Sequence, residues 1–292
     1  MEKISNYKKA AISLVDNVDI KRNSTVESEL KKITLAALDY AHRVSNGNGL
    51  SEEKKQLAGN ILTMGAMVND FYDVDTLDTE KYKDLRKEFK RQVPERENDF
   101  LRYRKELSRL EKGRPVPSEL HEKNRKRLEP IKRYREDLNK LSLAFSFAIA
   151  FDKPLSAYYE NFDAQTKEER SLFKGFYNAV MALQVVDDLV GRGGDLAKDR
   201  PSFYTATCTK EEVQKQEFLA GNKETYKKMD KLFFGYFDEA NKHSSEKLKP
   251  ILDAVRFTKT VYPKLTELAR KYKFLETATG VNVLSWRDKE DS

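Results

Sequence analysis

Two short acidic clusters are the residues best suited to chemistry in this 292-residue chain. The first is Val68-Asn69-Asp70-Phe71-Tyr72-Asp73-Val74-Asp75. Asn69 and Asp73 are four apart and Asp70 and Asp73 three apart, so a helix puts their oxygens on one face. The second is Gln184-Val-Val-Asp187-Asp188, followed by Leu-Val-Gly191-Arg-Gly-Gly194-Asp195. Gln184, Asp187 and Asp188 share one helical stripe. Each cluster closes a mostly apolar segment, where carboxylates oppose the helix dipole and an unpaired buried charge is expensive. A cation is the natural compensation. Hard oxygen ligands without His or Cys suit Mg²⁺, which bridges carboxylates to substrate phosphates. If the two helices pack side by side, the clusters meet at the mouth of a bundle, a geometry for holding Mg²⁺ and a diphosphate.

The elements that must carry these clusters read as helices. Gly and Pro are sparse, 12 and 8, and between them run segments with apolar residues at helical spacing. Leu30 to Val44 and Ser51 to Tyr72 are two, the second opening on Ser-Glu-Glu, an N-cap with first-turn acids. Lys140 to Phe151 is nearly all apolar and reads as a helix buried on most sides. Thr166 to Val190 opens on Thr-Lys-Glu-Glu, a capping box, and stops at Gly191. Lys210 to His243 and Leu248 to Tyr272 complete the set. No segment alternates as a strand does, and no Gly-rich nucleotide loop is present. The expectation is an all-α chain, one domain over 1–292, of about eight to eleven helices.

Composition excludes several alternatives. A mean hydropathy of −0.76, and a greasiest stretch (Leu141 to Phe151) half the length of a bilayer crossing, argue against a membrane span. The first residues, Met-Glu-Lys-Ile-Ser, lack a signal-peptide core, so a cytoplasmic location is expected. One cysteine, Cys208, removes disulfide frameworks and Cys-based zinc sites. The formal charge is +7, and one segment supplies it: Lys81 to Glu136 holds 20 Lys/Arg against 11 Asp/Glu. We read that segment as long, ion-paired, solvated helices joined near Gly113-Arg114-Pro115. A surface for nucleic acid is the competing interpretation, but no motif of a nucleic-acid module accompanies it, and no nucleic-acid partner is expected.

With both clusters in view, the sequence resembles the trans-isoprenyl diphosphate synthase superfamily, the class I isoprenoid (terpene) synthases, as a divergent member. Gln184-Val-Val-Asp187-Asp188 with Gly194-Asp195 is similar to that family's second aspartate-rich motif and its following Gly-Asp. Asn69-Asp70-Phe-Tyr-Asp73 is similar to the first motif, Asp-Asp-x-x-Asp. Lys140-Leu-Ser-Leu-Ala-Phe145 resembles the Lys-Thr-x-x-x-Phe stretch upstream of the second. The resemblance implies a helical bundle with a central active-site cavity, Mg²⁺ as cofactor and a homodimer. It implies that Asn69, Asp70, Asp73 and Asp187 hold the metal, with Asp188 and Gln184 beside them. Lys140, Lys198 and Arg200 would grip the diphosphate. Phe71, Tyr72, Phe145, Phe176 and Tyr177 would line the pocket, and bulk at Gly65 would shorten the accepted chain.

The implied reaction is ionisation of an allylic prenyl diphosphate, followed by attack of an alkene inside an apolar, water-free pocket. The departures from the family fall in the metal-binding motifs and on the acceptor side. Asn69 and Gly191 stand where acids are expected, the Arg-Arg-Gly after the first motif is missing, and Lys31-Lys32 stands about where the N-terminal acceptor motif belongs. Three readings follow: a prenyltransferase joining the substrate to a second prenyl diphosphate or other acceptor, a class I terpene cyclase using one C15 to C20 substrate, and a non-catalytic partner subunit.

Overall fold

Helical spacing in the sequence becomes helix along the chain. The structure, a computed structural model, describes residues 29–74, 79–123, 128–160, 166–215, 223–243 and 248–271. In order, the helices are α1 (Glu29–Asn46), α2 (Glu52–Val74), α3 (Thr79–Gln92), α4 (Glu97–Lys112), α5 (Pro117–Lys123), α6 (Leu128–Ala150) and α7 (Leu155–Tyr159). There follow α8 (Lys167–Val190), α9 (Arg192–Ala197), α10 (Phe203–Thr207), α11 (Lys210–Lys215), α12 (Lys223–His243) and α13 (Lys249–Lys271), and a 3₁₀ turn over Pro94–Arg96 joins α3 to α4. The described residues thus form thirteen α-helices and no strand, an all-α fold. The number exceeds the expected eleven because α5, α7, α9, α10 and α11 have only five to seven residues each. Helices that short carry no full apolar period.

Local signals set the helix ends. Ser51 Oγ accepts from the Lys54 backbone N–H at 3.3 Å at the start of α2. Thr166 and Glu169 form the reciprocal capping box that opens α8, satisfying two otherwise orphaned donors. Helix α8 ends at Val190 with Gly191 as C-cap. The segment read as one helix over 210–243 is helical over 210–215 and 223–243, and residues 216–222 lie outside the described set.

Helix α6 is the pillar of the core. Residues 143–150 are buried without interruption, and α6 packs against α2, α4, α7 and α8, while α8 packs in turn on α12 and α13. Two aromatic groups fill the space around it. Phe89 stacks on Phe100 with ring centroids 4.6 Å apart, and Phe145 joins Phe89 and Tyr103. Phe147 gathers Tyr158, Phe173 and Phe176 at 5.1–5.2 Å. Offset and edge-on contacts of this kind add to the apolar area they bury. Phe145 and Phe176, which the resemblance assigns to a pocket wall, are members of these packed groups.

Gly65 is likewise a packing residue. A Cβ at this position would stand 3.0 Å from Tyr103 Oη and 3.2 Å from Ser142 Oγ. Tyr103 Oη donates to the Ile61 carbonyl at 3.2 Å, so the buried phenol cannot withdraw without giving up this bond. Gly65→Phe should therefore destabilise the fold by roughly 1–3 kcal/mol through overpacking, read as a lower urea midpoint. Gly65→Ala should be milder and partly rescued by Tyr103→Phe, which removes the obstructing oxygen. An unchanged midpoint in Gly65→Phe would contradict the close approach of α2, α4 and α6.

The basic segment forms α3 to α5 and the first turns of α6. Several of its charges are in pairs, among them Lys83–Glu80, Lys90–Glu97, Arg102–Glu160 and Arg109–Glu106. Exposed pairs of this sort contribute little stability each. No described helix is long and apolar enough to cross a membrane.

Candidate functional site

Helix direction decides whether the two acidic clusters can cooperate. Lys54, at the start of α2, donates to the carbonyl of Ala150, the last residue of α6, at 3.1 Å. Farther along, Gly65 lies against Ser142. Helix α2 therefore runs antiparallel to α6, and its last turns, with Asn69, Asp70 and Asp73, finish beside the N-terminal half of α6. Helix α8 does the same: Phe173 and Phe176 touch Phe147, and Asp188 meets Arg135 at 2.5 Å. Both clusters thus end at one end of the bundle, level with the first half of α6. Asn69 is half-buried there, and Phe71 and Tyr72 meet edge to face at 5.2 Å. The side chains of Asp70 and Asp73 lie outside the described residues.

At the end of α8 the two adjacent aspartates have different surroundings. Asp188 is 2% exposed. Its Oδ1 accepts from Arg135 Nη2 at 2.5 Å and Gln184 Nε2 at 2.8 Å, and its Oδ2 accepts from the backbone N–H of Phe203 at 2.7 Å. Phe203 opens α10, so the carboxylate satisfies an orphan helix N-terminal donor as well as a guanidinium. Both oxygens of Asp188 are engaged by the protein itself, which makes it a structural anchor rather than an open ligand. Asp187 is more open and takes one bond, from Gln184 Nε2 at 3.1 Å. Burial, reinforced by the neighbouring charge of Asp188, pushes its pKa up to about 7 against the pull of Arg135 and Gln184.

Asp195, on α9, joins the same group. Burial and the charge of Asp188 push it also up to about 7, while Arg135, the Ser202 hydroxyl and Arg200 act in the opposite direction. Three acids therefore crowd around one guanidinium. Burial works against the charge of Arg135, yet Asp188 and Asp195 hold its pKa above the ordinary arginine value. A carboxylate at position 191 would deepen the imbalance: a Cβ there would lie 3.9 Å from Asp195 Oδ2. Glycine at 191 keeps a further negative charge away from Asp195.

The loop after Asp195 is a built turn. The Arg200 N–H donates to the Asp195 carbonyl at 2.8 Å, and the Lys198 N–H to the Gly194 carbonyl at 3.0 Å. Asp199 has φ +50°, an uncommon conformation for a residue with a side chain. Its carboxylate accepts from the Ser118 N–H at 2.9 Å and the Ser118 hydroxyl at 2.5 Å, tying the turn to the start of α5. Lys198 and Arg200 flank this fixed residue, and Arg200 is near enough for its charge to act on Asp195.

Lys140 lies elsewhere. It sits on α6 with its ammonium 5.6 Å from the Tyr159 ring centroid, and it lines a cleft with Tyr177 and Asn178. Tyr177 precedes Asp187 by ten residues, about 15 Å along α8. The structure thus brings together Gln184, Asp187, Asp188, Asp195 and Arg200 and separates Lys140 from them. Lys31 hydrogen-bonds Thr63 Oγ1 at 2.6 Å, two turns of α2 before Asn69. Sequence reasoning missed Arg135, one of 20 cations in the basic segment, where nothing in linear spacing separates a buried arginine from solvated ones.

Among the described residues, no group of three or more His, Cys, Asp or Glu side chains is arranged to hold a metal ion. A metal site at this end therefore needs ligands from the end of α2 beside Asp187. Comparison of the chain with protein-family models, with curated proteins and with solved structures gives no match.

Proposed function

We propose that the chain is a Mg²⁺-dependent enzyme acting on an allylic prenyl diphosphate, ionising it and then forming a carbon–carbon bond with a second prenyl unit or another acceptor. The observation that carries this reading is the convergence of the α2 and α8 ends on one end of α6, where the half-buried Asp187 and Asp195 have their pKa values pushed up to about 7. Carboxylates in that state are short of positive charge, and hard oxygen donors fit a divalent cation that also contacts phosphate. Asp187 would be the ligand from α8, with Asn69, Asp70 and Asp73 as the donors from α2. Bound Mg²⁺ would supply charge stabilisation to the departing diphosphate.

The remaining duties fall to the chain itself. Asp188 and Gln184 hold Arg135 and Asp187 in register. Arg200, on a turn tied to α5 through Asp199 and Ser118, would meet a diphosphate oxygen. Cyclisation of a single substrate is the second reading, favoured by the missing Arg-Arg-Gly after the first motif.

The test is direct. The protein is incubated with Mg²⁺ and geranyl, farnesyl or geranylgeranyl diphosphate, with and without isopentenyl diphosphate, and released diphosphate and organic products are measured. We expect Mg²⁺-dependent release and a longer prenyl diphosphate when isopentenyl diphosphate is present. A hydrocarbon or alcohol from one substrate would turn the assignment to cyclisation. No turnover with any combination would overturn catalysis in favour of a non-catalytic subunit.

A further inference from the structure

Helix α12 packs one side on α8 and turns the other to solvent. The solvent side holds a residue that the chain itself does not need. Gly235 sits mid-helix, where glycine weakens a helix relative to alanine. Among the described residues no heavy atom lies within 4 Å of where its Cβ would stand, and its backbone is not left-handed. Nothing within the chain therefore requires glycine there. Beside it, Phe234 is 46% exposed, the most exposed large apolar side chain among the described residues.

Two charges frame this pair. Lys231 lies three positions before Phe234, and Asp238 three positions after Gly235. Spacings of three and four put all four residues on one stripe, about 10 Å long. Lys231 and Asp238 are both exposed. Among the described residues neither enters an ion pair, and Asp238 acts on Lys242 only behind Glu239, which bonds that ammonium. The neighbouring charges are engaged locally, Lys228 by Glu224 and Asp230 by Lys259 of α13. Residues 224–242 hold four lysines and four acids, so two copies of this face do not repel through net charge.

We infer that this face is a contact between two copies of the chain, with α12 packed antiparallel on itself about a two-fold axis between residues 234 and 235. Under that axis the pattern Lys-x-x-Phe-Gly-x-x-Asp is its own complement. Lys231 meets Asp238 of the partner subunit, and Asp238 meets Lys231 of the partner subunit. Phe234 lies over Gly235 of the partner subunit, where no Cβ holds the helices apart. A two-fold interface demands this self-complementarity, whereas an unrelated partner would not require opposite charges at symmetric positions. The apolar area buried by the close approach offsets the glycine's cost to the helix, and the charge pairs fix direction and register more than affinity. Farther out, Lys227 is set toward Lys242 of the partner subunit, but crossed helices diverge from their point of contact, and Glu239 screens that ammonium. One helix pair is small beside a standard interface, so the dimer is a weak, reversible one. The contact uses no residue of the proposed metal site.

Sedimentation equilibrium of the full chain, from low to high micromolar concentration and in EDTA to remove metal-bridged association, tests it. The wild type should show a reversible monomer–dimer equilibrium. Gly235→Leu fills the space that the contact needs and should weaken the dimer about tenfold or more, with the helical circular-dichroism signal retained. Lys231→Glu and Asp238→Lys should each weaken it about tenfold or more by setting like charges face to face. Mixed in equal amounts, these two variants should associate again, because each then meets the opposite charge on the other. The Lys231→Glu/Asp238→Lys double variant should likewise dimerise by itself. The two positions are a full two turns apart on one helix and do not touch, so the recovery arises between chains. Monomer at every concentration, a dimer unchanged by Gly235→Leu, or no association of the mixed variants would each overturn the inference.

Discussion

Arg135→Met is expected to destabilise the protein by about 3–5 kcal/mol at pH 8, the cost of leaving a buried charge without its partner. Arg135 is the guanidinium on which Asp188 closes, and its side chain is 16% exposed against 1% for that of Asp188. Its removal leaves Asp187, Asp188 and Asp195 facing one another. Lysine should restore only part of the loss, because an ammonium is a compact, strongly hydrated charge and lacks the planar donor edge. Asp188→Asn in the Arg135→Met background should recover stability, since the amide oxygen can still accept from the Phe203 N–H while the stranded charge is gone. The loss should also shrink at pH 5, where Asp187 and Asp195 hold their protons. Urea midpoints for the two single variants and the double variant, at pH 5 and pH 8, give the coupling directly. A loss below about 1 kcal/mol at pH 8 would mean that the pair is not what holds α6, α8 and α10 together, since that is the range of exposed pairs.

That prediction concerns a residue the sequence conceals, and the reason is physical. Helix periodicity reports which face of a segment is apolar, so the long helices α1, α2, α8, α12 and α13 were legible, as was the Thr166–Glu169 box. The stripe of Gln184, Asp187 and Asp188 was legible too, because spacing of three and four residues sets neighbours on a helix. What spacing does not report is the partner across the interface. Asp187 and Asp188 are adjacent in sequence and about 100° apart around the helix, enough for one to close on Arg135 and α10 and the other to stay open. Lys140 follows Arg135 by five residues, about 7.5 Å along α6, and that step carries it from the acidic end toward Tyr159 and the cleft lined by Tyr177 and Asn178. The packing role of Gly65 was illegible for the same reason, since the crowding atoms belong to Tyr103 and Ser142, 38 and 77 positions away.

Asp187→Asn should have two opposite effects, and their combination is diagnostic. In an unfolded chain an aspartate titrates near ~3.9, whereas in the fold Asp187 is pushed up to about 7 by burial and by Asp188. Between those values the folded form binds a proton that the unfolded form has released, so stability falls as pH rises from about 4 to about 7 and levels off above. Asparagine never ionises, so the variant escapes this penalty. In EDTA at pH 8 its urea midpoint should exceed that of the wild type by the equivalent of about 1–2 kcal/mol, the partial exposure of Asp187 screening the larger figure. Near pH 4 the two proteins should converge. Millimolar Mg²⁺ should then reverse the order at pH 8, stabilising the wild type by mass action and the variant little. In the proposed reaction the variant should lose a metal contact worth several kcal/mol, roughly a thousandfold in turnover. Gained stability in EDTA with lost turnover identifies a carboxylate kept for a cation at the expense of the fold. Unchanged turnover, or equal Mg²⁺ stabilisation of both proteins, would remove Asp187 from the metal site and with it the support for the proposed function.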